Sequence, residues 1–148
     1  MTKTVEIKVT QVANTQMNVW YSRSMLVKLM HELTKRDYYG GFWDNFVSSR
    51  APDEVNVPLS AVSHVIKSLF FKSTSDQWLY AEVTLNDTPA GKLAQGLVNS
   101  GHKLRGRLAA IGTTSTAREV IGITAFTIHI DTDNTSKSNT LNAPLDSI

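Results

Sequence analysis

The segment from Val120 to Ile130 constrains this chain most. Ile121, Ile123, Ala125, Thr127 and His129 alternate with Gly122, Thr124, Phe126, Ile128 and Ile130, and both sets are mostly apolar. Strand side chains point alternately to opposite faces, so apolar residues in both sets require cover on both faces. The run predicts a central strand, and the rest of the chain has to supply its neighbours. Val5-Glu6-Ile7-Lys8-Val9 opens a half-buried strand running to Val12, with charges on its wet face. Trp78 to Leu85 and Leu104 to Ile111 read as further strands. Leu59 to Phe71 turns strand-like at Ser68-Leu69-Phe70-Phe71, and the polar turn Ser73 to Gln77 separates it from Trp78.

Helices interrupt this pattern. Ser22 or Ser24 can cap a helix whose Met25, Leu26, Leu29, Met30 and Leu33 share one face. Asp87 or Thr88 can cap another, with Pro89 at its first position and Leu93, Ala94, Leu97 and Val98 at helical spacing until Gly101. Tyr38 to Pro58 holds Gly40-Gly41, the aromatics Phe42, Trp43 and Phe46, and two prolines, and reads as a long loop with aromatic anchors. The domain is expected over residues 1–133. Residues 134–148, rich in Thr, Ser and Asn, are expected to form a polar flexible tail.

Composition narrows the chemistry. At 148 residues the chain suits one domain. Its lack of cysteine excludes disulfides, thiol nucleophiles and thiolate metal sites. No apolar run approaches the ~20 residues of a membrane span, nor the apolar core of a signal peptide, so a soluble, intracellular product without a membrane partner is expected. His31, His64, His102 and His129 lack compact metal-ligand spacing. Gly101, Gly106 and Gly112 lack a phosphate-loop pattern. No metal or cofactor is therefore expected.

Fifteen Lys and Arg against thirteen Asp and Glu leave a net charge of +2, too little for a strong phosphate field unless it is clustered. The cluster is His102-Lys103-Leu104-Arg105-Gly106-Arg107. With Arg118, its alternating Lys103, Arg105 and Arg107 form either a nucleic-acid-binding strand or a solvated strand edge. Trp20, Tyr21, Phe42, Trp43 and Phe46 form either a partner surface or the closure of a small core. Ser63-His64 and Ser100-Gly101-His102 bring hydroxyl and imidazole together in sequence, although neighbours on a strand face opposite sides.

The order of elements resembles the prohead core proteases of T4-like tailed bacteriophages, relatives of the herpesvirus maturation proteases. The resemblance runs from about Val5 to Asp133. It rests on Asn18-Val19-Trp20-Tyr21 before the first helix, on Val62-Ser63-His64-Val65-Ile66, on Phe70-Phe71 and on Leu79-Tyr80-Ala81-Glu82-Val83. Its most specific parts are Asp87-Thr88-Pro89-Ala90-Gly91-Lys92 and Gly101-His102-Lys103-Leu104. It implies an α+β fold, a β-barrel-like core of mostly antiparallel strands flanked by helices.

The departures bear on activity. Where the family carries a histidine-bearing segment, this chain has Gly40-Gly41-Phe42-Trp43-Asp44-Asn45. Where the family has its Ser-Ser-Arg-Gly nucleophile motif, it has Arg107-Leu108-Ala109-Ala110. The resemblance thus implies an inactive member, with no catalytic residue, serving as a phage structural or assembly protein. Its expected partners are other head proteins or further copies of itself. The expected location is the host cytoplasm during infection, with incorporation into the virion open. The alternatives are a phage-encoded protein that binds nucleic acid or a host factor outside the virion, or a serine protease using relocated Ser100, His102 and His64.

Overall fold

The computed structural model describes residues 2–15, 19–43 and 57–132, and the backbone of 140–142. Among these residues, two sheets and two α-helices enclose an apolar core. The first sheet is antiparallel, in the order β1 (Lys3–Gln11), β4 (Trp78–Leu85), β3 (His64–Phe70), β2 (Tyr38–Gly40). Alternation along β4 turns Leu79, Ala81, Val83 and Leu85 inward, where none is exposed. The second sheet has the order β6 (Val120–Thr132), β5 (Leu104–Thr114), β7 (Thr140–Asn142), with β5 antiparallel to β6 and parallel to β7.

Both helices start where their caps dictate. The Ser22 hydroxyl accepts from the Met25 amide at 3.2 Å and opens α1 (Arg23–Glu32), which buries Met25, Leu26 and Leu29. The Thr88 hydroxyl accepts from the Gly91 amide at 3.0 Å and opens α2 (Pro89–Asn99), with Pro89 in the first turn. Ala94 is the side chain α2 buries fully, whereas Leu93, also at helical spacing, is 60% exposed.

The sheets are not closed into a barrel, which corrects the barrel-like core expected from the resemblance. Closure requires a continuous backbone ladder from strand to strand around the core, and it is missing at two seams. Between β1 and β5, Ile7 and Val9 pack on Gly106, and the Arg105 guanidinium donates to the Val9 carbonyl at 3.4 Å. The second backbone edge of β5 is instead used by β7, from Ala109 to Ile111. Between β2 and β6 the backbone contact is a short bridge at Phe42 and Ile130, with the Ile130 amide donating to the Gly41 carbonyl at 2.9 Å.

Two further expectations change. The central strand of the second sheet is β5, and β6, predicted as central, lies at the edge. β6 is nonetheless buried throughout Phe126–Ile130, because the segment around Tyr39 to Trp43 covers what a neighbouring strand would have covered. That segment includes β2, inside the stretch read as a loop. Within the expected tail, residues 140–142 form β7, since the edge of β5 offers backbone groups that need partners. The rest of 134–148 lies outside the described residues.

Candidate functional site at the seam between the sheets

Gly40–Trp43, from the segment that the resemblance associates with the base, and Arg107, which begins the one it associates with the nucleophile, meet at the β2/β6 seam. Its centre is His64, at the start of β3 and fully buried. The His64 Nε2 atom lies 2.7 Å from the Ile128 carbonyl. A carbonyl only accepts, so Nε2 carries the proton and Nδ1 is left as an acceptor. The Ser63 hydroxyl, 2.8 Å from Nδ1, donates to it. Ser63 precedes the regular strand, so its side chain is not forced to the face opposite His64. The Gly40 carbonyl, 3.3 Å from that hydroxyl, already accepts the Ser63 amide at 2.9 Å.

Burial holds the His64 pKa down to about 4, the Ile128 hydrogen bond opposes this, and charge on nearby His129 would lower it further. The ring is therefore neutral at pH 7. Gly40 runs directly over the His64–Ile128 contact. A β-carbon built there would lie 2.0 Å from the Ile128 oxygen and 2.5 Å from His64 Nε2, so the backbone can pass only as glycine.

Beside this pair, β5 and β6 set Arg107 opposite His129. The Gly41 amide donates to His129 Nδ1 at 3.1 Å, which puts the proton of the neutral ring on Nε2. Arg107, 1% exposed, donates through Nε and Nη2 to one oxygen of Asp131, each at 2.9 Å. The other Asp131 oxygen accepts the Thr132 amide at 2.8 Å. Trp43 caps the group, its ring 4.9 Å from the guanidinium carbon and 6.2 Å from the His129 ring. The cluster has a hydroxyl and a base at reaction distance, yet Ser63 and His64 are both 0% exposed, so no substrate can reach them in this arrangement. Among the described residues, no group of His, Asp and Glu side chains could hold a metal ion.

The residues singled out from the sequence separate. Arg105 and Arg107 point inward and are buried, so the alternating basic surface does not form; Lys103 and Arg118 are exposed. Arg118 sits in the β5–β6 turn at φ 65° and donates to the Thr15 carbonyl at 3.3 Å. Tyr21 and Trp43 are core residues, at 0% and 5% exposure, and burial pushes the Tyr21 phenol pKa up. Trp20 and Phe42 are half-buried, Trp20 donating from its indole to the Ala117 carbonyl at 2.9 Å. Phe46 lies outside the described residues. Ser100 and His102 are exposed, whereas His64 is buried. Sequence reading missed His129 and Asp131, and the signal that could have found them is register: pairing the two strands antiparallel sets Arg105 and Arg107 against them.

No family model matches the chain, and no curated protein matches it. Among solved structures it is similar to the bacteriophage T4 capsid assembly protease, gp21, with a TM-score of 0.52 at 16% identity, over 87% of this chain and 80% of that one. At that identity the kinship is one of fold, and it agrees with the sequence resemblance at that level.

Proposed function

We propose that this chain is a non-enzymatic structural or assembly protein of a phage head, using a protease-like fold for protein contacts. The observation that supports the reading is Arg107. It begins the stretch where the resemblance would have the attacking oxygen, and it is a buried cation tied to Asp131 under Trp43. A guanidinium has no nucleophilic oxygen, and its ion pair fills the space beside the histidines. The partners in this reading are other head proteins or further copies of the chain, met in the host cytoplasm during infection or within the virion.

The test is co-purification of the full chain with proheads, together with incubation on prohead proteins. Association without cleavage is expected, and absence from every head-related particle would overturn the reading. A second reading, a serine hydrolase, draws on the Ser63 hydroxyl 2.8 Å from His64 Nδ1. It requires the Gly40 segment to open. Labelling by a fluorophosphonate that Ser63→Ala abolishes would put it in first place.

A further inference from the structure

Among the described residues, the outer edge of β6 is paired at both ends and open in between. At one end the Val120 amide donates to the Trp20 carbonyl at 2.9 Å, and at the other the Ile130 amide donates to the Gly41 carbonyl at 2.9 Å. Between them, from Ile121 to Phe126, no described segment other than β5 bonds to the β6 backbone. Exposed edges usually carry charges that discourage pairing. Here Val120 to Ile130 holds no Lys, Arg, Asp or Glu, and Ile121 is 51% exposed. Beside the stretch lies a groove of about 370 Å³ between β6 and α1. Met25 and Leu29 wall it, the stacked rings of Tyr38 and Phe126 (centroids 4.6 Å apart) line it, and Lys28 and Glu32 add one charge of each sign.

We propose that this slot receives a short extended peptide segment of a partner protein, paired to the open β6 backbone with an apolar side chain seated in the groove. Unpaired backbone groups in a row select an extended chain, and the adjoining pocket selects side chains at alternate positions. The ends of the slot decide against a second β6 as occupant. That strand is 13 residues long and would collide with the Trp20 and Phe42 segments, whereas the opening spans roughly 20 Å at ~3.3 Å per residue. β6 also carries an extra residue against β5 at Ile121 and at Thr124, and such bulges bend a strand away from long, flat pairing. The inference deepens the assembly reading and rests on it only for the source of the peptide.

Panning short displayed peptides on the full chain, followed by amide hydrogen exchange of the free and peptide-loaded protein, tests it. In the free protein the open-side amides of Ile121 to Phe126 should exchange readily while those of Val120 and Ile130 are protected. Selected peptides should carry apolar residues at alternate positions and protect the open stretch. They should lose at least about tenfold in affinity to Lys28→Trp, which fills the groove from an exposed position. Ile121→Lys, on the strand itself, is a second variant in case the first misfolds. Protection already present in the free monomer would assign the slot to another segment of this chain, and concentration-dependent protection would assign it to a second copy. Either result overturns the proposal, as does a selection whose peptides bind both variants as well as wild type. Slot-dependent peptides from a protein that never joins phage heads would sink the assembly reading alone.

Discussion

The two seams between the sheets are closed by opposite means. At β1/β5, apolar side chains of Ile7, Val9 and Ile128 meet around Gly106, and Arg105 donates across to the Val9 carbonyl. At β2/β6, a neutral histidine bonds a carbonyl, a second histidine accepts an amide, the Thr127 hydroxyl bonds the Tyr39 carbonyl, and a buried ion pair lies alongside. Apolar contacts have no preferred direction and can shift by tenths of an ångström. Hydrogen bonds of buried groups cannot, because each lost partner leaves a desolvated polar atom. The polar seam therefore tolerates little change, and it is the one where the Gly40–Trp43 segment meets Arg107 and His129.

The largest expected effect is at Gly40. Gly40→Ala forces a methyl onto the Ile128 oxygen, which is backbone, and breaks the His64 contact, so a loss of about 4 kcal/mol in denaturant unfolding is expected. A loss below about 1 kcal/mol would show that the polar seam is as yielding as the apolar one. Asp131→Ala comes next. It takes the carboxylate from a guanidinium that is 1% exposed, and should cost about 3 kcal/mol, near the lower end for breaking a buried pair because Asp131 itself is partly exposed.

Acid should act on the same seam. The pKa of His64 falls from 6.5 to about 4 on folding, so between those values the unfolded chain binds more protons. The stability tied to His64 is complete above pH 6.5 and is lost as the pH falls toward 4, by roughly 3 kcal/mol in all. Unfolding measured across this range should show the slope, and His64→Gln should flatten it. A slope unchanged in the variant would trace acid sensitivity to other groups. The smallest effect is expected at the apolar seam. In Gly106→Ala the new methyl meets only side-chain ends at 3.0 to 3.1 Å, which can move, so the cost should stay near 1 kcal/mol. A cost equal to that of Gly40→Ala would erase the contrast between the seams.

Local features were legible before the structure. Of the alternatives Ser22 or Ser24 and Asp87 or Thr88, Ser22 and Thr88 are the caps. The strands at Lys3–Gln11 and Trp78–Leu85 follow their alternation, while the strand expected from Leu104 forms as Leu104–Thr114 with both faces largely buried. What escaped was pairing. The two-sided apolar run at Val120 to Ile130 was read as a central strand, but two-sided burial records cover without saying what provides it. Here the cover is the segment around Tyr39 to Trp43, whose glycines and aromatics carry no strand periodicity. Alternation also made Lys103, Arg105 and Arg107 look like one surface, although Lys103 precedes β5 and the strand that carries Arg105 and Arg107 is buried on both faces over Arg105 to Ala110.

The sequence by itself determined the helices, most strands and the absence of thiol chemistry, because these depend on residue inventory and on periodicities spanning a few positions. The likeness to a protease fold came from matching short motifs to a known family. Tertiary structure alone decided that the sheets stay separate, that Arg107 meets Asp131 and Trp43, that Ser63 and His64 face each other behind Gly40, and that among the described residues part of the β6 edge has no partner strand. Each of these depends on which backbone edge finds which partner across long sequence separations. Edges are chosen by the fit of the whole core rather than by any local pattern.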